Sequence, residues 1–268
     1  MLNRVILSDN GTLTDITEET DTYSTSGTSH SFIAAEDAIY IGTRFPLSEK
    51  YFKASGGLGA LSVKYWDGDS FRAMVDKRDK TAGLSTSGYL KFTPNRDYGW
   101  QKADTADIAE LSSVTIYDQF WLEITVDTDA TIDLAWIGDL FCTDSDLESE
   151  YPDLLRPSML TAFKAGKTDW EEQRVIASDM ITDELINRGA IKSSNQLFEV
   201  ERFRRTAVSK TAELAFAGFG ENYMDDENKA RKKYSERFNM INVLSDQDED
   251  GLEDEVETTK TREIFLNV

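Results

Sequence analysis

Near residue 150 the hydrophobic period of this chain changes, and that change limits what it can fold into more than any other feature. Up to Glu150 the sequence is rich in Thr, Ser, Gly and Asp, with short runs of alternating apolar residues; beyond Pro157 it carries long 3.6-period segments with little glycine. Alternation puts every second side chain on one face of a strand, and the 3.6 period draws an apolar stripe along a helix. The expected fold class is therefore α+β and multidomain. An antiparallel β-sandwich or jelly-roll-like domain over 1–150 precedes an antiparallel helical bundle over 151–268, which ends in an Asp-rich loop and a terminal strand or arm. The boundary is expected within Asp144 to Pro157, a polar, charged stretch punctuated by proline.

In the first part, strands are expected at Arg4–Leu7, Ala38–Phe45, Leu61–Trp66, Ser70–Val75, Tyr89–Thr93, Phe120–Asp127 and Thr131–Leu140. Asp67-Gly68 between two aromatic-flanked strands reads as a tight hairpin, since Asp-Gly supplies positive φ angles. Residues 127–130 read as a second turn, between Trp121–Val126 and Thr131–Trp136. In the second part, Trp170, Ala177, Ile181 and Leu185 share a helical face, with Thr168 or Asp169 as cap and Gly189 as stop. Leu197, Val200, Phe203, Ala207 and Leu214 do the same for a helix ending near Gly218 or Gly220. Ala230, Tyr234, Phe238 and Ile241 mark a third, after an Asp225-Asp226 cap, and a short helix is expected at Ser158–Ala165. The last eight residues, Thr261 to Val268, read as a strand or an extended arm.

Charge narrows the function. The 268 residues hold 50 Asp plus Glu against 29 Lys plus Arg, a formal charge of −21. Nucleic-acid binding draws on Lys and Arg displacing counterions, and anionic membranes repel an acidic surface, so neither is an expected partner. With 40% hydrophobic and 11% aromatic residues the chain is expected to fold. No apolar run approaches a membrane span or a secretion signal, which predicts a soluble protein made in a reducing compartment. Cys142 alone cannot form an internal disulfide, and His30 alone cannot build a His-rich zinc site. The acid is unevenly placed. Residues 1–150 carry 12 basic and 26 acidic side chains (net −14), 156–240 carry 15 and 14 (net +1), and 241–268 carry 2 and 9 (net −7). A near-neutral bundle buried in an assembly, under an acidic β domain facing solvent, fits that division.

One motif has metal-site chemistry. Residues 246–257 match D-x-[DN]-x-[DN]-G-x5-E at every constrained position. Ca²⁺ takes six to eight hard oxygens, which Asp246, Asp248, Asp250, the Leu252 carbonyl, Asp254 and a bidentate Glu257 would supply around the turn at Gly251. The β-branched residues that follow favour a strand, so a lone structural calcium loop is expected rather than a paired EF-hand. The other reading is a solvated acidic loop whose spacing is accidental.

The remaining candidates read as structural. Gly56-Gly57-Leu58-Gly59 lacks the Lys-Ser/Thr of a phosphate loop. His30 reads as an exposed loop histidine, Cys142 as a buried small hydrophobe, and Asp67 with Asp69 as turn residues rather than a glycosidase pair. Tyr65, Trp66, Phe71, Tyr98, Trp100, Phe120, Trp121 and Trp136 read as core before they read as a sugar platform. Arg202, Arg204 and Arg205 are expected to pair with acids of the same bundle or of a neighbouring subunit.

Trp170-Glu-Glu-Gln, Arg202-Phe-Arg-Arg-Thr-Ala and Tyr234-Ser-Glu-Arg-Phe, followed by the Asp-rich loop, resemble the helical head–tail connector (neck adaptor) proteins of tailed bacteriophages, over roughly residues 157–268. Ala60-Leu-Ser-Val-Lys-Tyr-Trp-Asp-Gly-Asp-Ser-Phe-Arg-Ala-Met, Asp79-Lys-Thr, Ser87-Gly-Tyr-Leu-Lys-Phe-Thr-Pro94 and Phe120-Trp-Leu-Glu-Ile look like a β-sandwich module of phage neck and baseplate proteins, over roughly 35–140. The resemblance implies a structural, non-enzymatic virion protein, made in the host cytoplasm and seated at the neck. It implies a ring, commonly twelve-fold, that binds the portal protein ring on one side and a tail terminator or other neck proteins on the other. Genome DNA would pass through the channel without specific binding. A sandwich ahead of the helices departs from the minimal adaptor. The competing reading is a baseplate or collar module that attaches fibres or carbohydrate through the sandwich, and an enzyme such as a glycan hydrolase stands third.

Overall fold

The computed structural model describes residues 3–34, 36–94, 99–246, 249 and 251, and the backbone of 258–260. The protein is α+β, with two antiparallel sheets in its first unit and most of its helices in its second. The first unit comprises 1–138 together with 246–254, and the second 139–245 with 255–268.

In the first unit the strands are β1 (Arg4–Asp9), β2 (Thr12–Asp15), β3 (Thr28–Phe32), β4 (Ala38–Thr43), β5 (Glu49–Ser55), β6 (Leu61–Trp66), β7 (Phe71–Ala73), β8 (Asp76–Asp79), β9 (Gly88–Thr93), β10 (Lys102–Ala103), β11 (Gln119–Val126) and β12 (Ala130–Gly138). A short helix, α1 (Thr17–Asp21), follows β2. One sheet runs β2-β1-β4-β11-β6-β7 with β10 beside β11, and the other runs β3-β12-β5-β9-β8. Side chains from both sheets make one core: Val5, Ile39, Ile41, Val63, Leu122 and Ile124 from the first, Phe52, Leu90, Phe92, Ile132 and Leu134 from the second. The alternate residues of the first sheet, Ile6, Tyr40, Trp66 and Trp121, point to its other face, where Ala103, Ile108 and Leu111 cover them. This second cover explains why β4 and β11 read as near-continuous apolar runs: both of their faces are buried.

The predicted hairpin is present, with Trp66 paired to Phe71, Gly68 at φ +99°, and Asp67 Oδ1 accepting from the amides of Asp69 and Ser70 at 3.0 and 2.8 Å. The strands absent from the sequence reading are chiefly edge strands. β2, β3 and β8 are Thr-Leu-Thr-Asp, Thr-Ser-His-Ser-Phe and Asp-Lys-Arg-Asp, mostly exposed, and an edge needs only one buried face at most while polar side chains blunt further pairing. β5 hides its alternation because Lys50 is buried with its apolar neighbours.

In the second unit the helices are α2 (Asp144–Glu150), α3 (Pro157–Phe163), α4 (Glu171–Asn187), α5 (Arg204–Ala217) and α6 (Met224–Phe238). Two strands, β13 (Asn242–Leu244) and β14 (Thr258–Lys260), pair antiparallel. Phe141, Leu147, Leu154, Trp170, Ile181, Leu185, Phe203, Ala207 and Phe238 form its core. The division after Gly138 differs from the expected boundary in Asp144 to Pro157. That stretch looked like a linker because it is polar, yet Thr143 and Asp146 form a reciprocal capping box that starts α2, and Leu147 is fully buried. Counted over 139–245 and 255–268 the unit has 17 basic and 23 acidic side chains, a net of −6, while its stretch 156–240 stays near neutral at +1.

The expected face of α4 is buried as a whole, whereas Leu197, Val200 and Phe203 lie ahead of α5 and Ile241 lies beyond α6. α4 starts with Asp169 Oδ1 accepting from the amide of Glu171 at 3.0 Å. α5 begins at Arg204 rather than near Leu197, since the chain takes single turns at Ser194–Gln196 and Val200–Phe203 first. Asp225 and Asp226 lie in the first turn of α6 rather than capping it, where their charge suits the helix dipole. The expected terminal strand or arm over 261–268 lies outside the described residues.

Candidate functional site

Of the six expected calcium ligands, Asp246 is described and Asp248, Asp250, Leu252, Asp254 and Glu257 lie outside the described residues. Asp246 is 1% exposed, and its two carboxylate oxygens accept from the amides of Glu249 at 2.7 Å and Gly251 at 3.0 Å. Gly251 takes φ +79°, and a Cβ there would lie 3.0 Å from Pro46 and 3.5 Å from Trp100, so the turn glycine of the motif is needed twice over. Helices do not flank this segment: β13 precedes it and β14 follows it, as a lone loop requires and a paired EF-hand does not. No group of three or more metal-ligating side chains occurs among the described residues.

The remaining sequence candidates sort into structural roles. Cys142 is 1% exposed, its Sγ lies 3.7 Å from Thr211 Oγ1, and burial pushes its thiol up to about 12. Asp67 organises its hairpin and pairs with Arg72 at 2.6 Å. Arg202 pairs with Glu199, and Arg204 with Asp146 at 3.6 Å, as expected within the same helical unit. His30 departs from expectation: it lies in β3, opposite Ile132, because a Ser/Thr-rich stretch suits an exposed edge strand as well as a loop. Tyr65, Trp66, Trp100, Phe120, Trp121 and Trp136 are all buried and Phe71 packs beside Trp66, while Tyr98 lies outside the described residues. Trp100 packs on Tyr65 at 5.8 Å and on Phe120 at 6.0 Å. It is a core residue, so a sugar platform built on it has no face to offer.

Two features of the helical unit are not accounted for by its own packing. The first is the outer face of α4. Val175, Ala177, Ile181 and Leu185 are buried, but Ile176, Met180 and Ile186 are 42, 41 and 40% exposed, interspersed with exposed Glu172, Asp179 and Asp183. A helix at the surface of a finished fold carries polar residues on that side.

The second is a cavity of about 450 Å³ formed by the 150–159 segment, the end of α5 and the first half of α6. Leu154 and Phe216 are buried at its base, and the rings of Phe216 and Tyr223 stack 5.9 Å apart while Tyr151 meets Phe216 edge-on at 6.0 Å. Its rim is charged and exposed. Asp153 pairs with Arg156 at 2.7 Å, Asp226 with Lys229 at 3.0 Å and Glu150 with Arg237 at 2.8 Å. Lys233 lies over the Tyr151 ring, 5.0 Å from its centroid, with no carboxylate in ion-pair reach among the described residues. The sequence does not announce this site because its residues come from three separate segments, each ordinary alone.

No known protein family, characterised protein or solved structure matches this chain.

Proposed function

We propose that this chain is a structural protein of a tailed-phage neck, whose helical unit seats in a homo-oligomeric ring between the portal and the tail. The observation that carries the reading is a set of large apolar side chains on the outer face of α4. Ile176, Met180 and Ile186 are half-covered there, among exposed Glu172, Asp179 and Asp183, and each apolar side chain fully buried in an interface contributes on the order of 1–2 kcal/mol. A ring built from repeated heterologous contacts gives such a face a partner in every subunit. The net charge of the unit, −6 over 139–245 and 255–268, suits contact with proteins around a DNA channel rather than with the DNA itself.

In this reading the portal ring and the neighbouring copies are the partners of the helical unit, and a tail terminator or other neck protein adjoins them. The finer architecture, a jelly-roll-like sandwich facing outward from a dodecameric ring, and a structural Ca²⁺ held by residues 246–257, belong to the same proposal. No helix among the described residues is long and apolar enough to cross a membrane. The chemistry is binding without catalysis. A carbohydrate-binding sandwich is the weaker reading, because Tyr65, Trp66, Trp100, Phe120, Trp121 and Trp136, which it would use, are buried.

Electron cryomicroscopy of a phage particle that encodes this chain tests the proposal. Density for the two sheets and for α2–α6 in a ring between portal and tail is the expected result. The same density at fibre tips or baseplate, or none in the particle, would overturn it.

A further inference from the structure

We infer that the cavity lined by Tyr151, Phe216, Tyr223 and Lys233 is a docking site for an aromatic side chain flanked by a carboxylate, borne by an extended segment of a partner protein. The inference is independent of where in a particle the chain works.

The size comes first. A volume of about 450 Å³ is at the small end of ligand sites, with room for one aromatic side chain and its immediate neighbours. The walls favour a ring. Tyr151, Phe216 and Tyr223 already pack edge-on and stacked, and an added ring extends the same cluster at the usual 4.5–7 Å spacing.

The polar groups specify the flanking charge. Each rim carboxylate, Glu150, Asp153 and Asp226, has its own cation, so the cation left over is Lys233. Two hydroxyls of the lining lack a good acceptor. The Tyr151 hydroxyl oxygen is buried with no hydrogen-bond partner among the described residues, and the Tyr223 hydroxyl meets only the Met159 thioether sulfur, at 3.5 Å. A thioether is a weak acceptor, whereas a carboxylate accepts several strong, charge-assisted bonds. One ligand carboxylate therefore answers both the surplus ammonium and the under-used Tyr223 hydroxyl. A phosphate is disfavoured, since its double charge would face three carboxylates on the same rim.

The exposed rim residues, Arg156, Ser158, Lys229 and Lys233, leave the site open to a chain segment rather than closing over a small molecule. The occupant is thus placed on a protein, and a free aromatic acid becomes a control.

The test is calorimetric titration of the full chain with acetyl-Gly-Phe-Asp-amide, with acetyl-Gly-Phe-Asn-amide and with phenylacetate, backed by NMR amide shifts. The expected result is binding of the acidic peptide with shifts at residues 151–159 and 216–233. Binding should weaken about tenfold for the uncharged peptide and about tenfold for Lys233→Glu. Lys232→Glu makes the same charge change at the neighbouring exposed residue of α6, which points away from the cavity, and should alter affinity less than twofold. Tyr223→Phe, which keeps the ring, should weaken binding severalfold. Equal binding of both peptides, equal binding by Lys233→Glu, or no shifts in the cavity would overturn the inference. Phenylacetate binding as tightly as the peptide would also overturn it, by making the free acid the ligand.

Discussion

Trp170 donates its indole N–H to the backbone carbonyl of Leu154 at 2.8 Å, deep inside the helical unit where the indole is fully buried. The contact ties the start of α4 to the turn at Pro152–Leu155, and Phe163 packs edge-on against the same ring at 4.9 Å. Trp170→Phe keeps a ring but leaves the carbonyl unpaired, so a loss of about 1–3 kcal/mol is expected. Trp170→Ala also opens a cavity and should cost about 3–5 kcal/mol. Urea denaturation followed by circular dichroism at 222 nm measures both. Equal losses would mean that the hydrogen bond and the ring cannot be separated in this way.

Cys142 provides a chemical reporter for the same unit. Its thiol is buried and held up to about 12 by that burial, so thiolate is scarce at neutral pH. Reaction with a disulfide reagent such as dithionitrobenzoate at pH 8 should be slower by at least about a hundredfold in the folded chain than in urea, and its rate should follow unfolding. Prompt stoichiometric reaction in buffer would show the thiol to be open.

The Asp67 turn carries a pH dependence whose sign is fixed. Burial works to raise its carboxyl, but the hydrogen bond from Arg72 and those from the amides of Ser70 and Asp69 outweigh it, and the net displacement is downward from 3.8. The ionised form is therefore favoured by folding. Its contribution is complete above about pH 3.8 and is lost as pH falls through the lower folded value. Asp67→Asn should be less stable than the parent at pH 6, with the difference shrinking below pH 3.8. A difference that stays constant down to pH 2 would contradict this.

A Ca²⁺ held by residues 246–257 should raise the melting temperature reversibly, because a cation that binds only the folded state stabilises it by mass action. EDTA is expected to lower the transition and excess Ca²⁺ to restore it, with Mg²⁺ far less effective. An unchanged transition under all three conditions would leave a solvated acidic loop.

How much of this was legible beforehand follows from where each signal lies. Ala38–Thr43 and Leu61–Trp66 declared themselves because local alternation or a continuous apolar run coincides with burial. Thr28–Phe32 did not, since an edge strand is held by backbone pairing to β12 and its side chains say little. Thr143 and Asp146 were visible as residues, but their reciprocal cap was masked by the charge around it. The Asp-rich motif was legible as spacing, and the structure shows Asp246 buried and Gly251 left-handed within it. The cavity was not legible at all: Tyr151, Phe216, Tyr223 and Lys233 converge only through the packing of α5 on α6 and the turn at 152–155.

The exposed face of α4 is the point on which the functional account turns, and one measurement addresses it directly. Met180 lies one turn after Ile176 on that face, 41% exposed, so Met180→Asp should leave folding almost unchanged while placing a charge in any interface formed there. The proposed phage-neck role is tested by co-sedimentation of parent and variant with purified portal rings of a tailed phage. The account predicts that the parent travels with the rings and that Met180→Asp, with an unaltered circular dichroism spectrum and melting temperature, does not. Equal recovery of both proteins with the rings, or of neither, would contradict it.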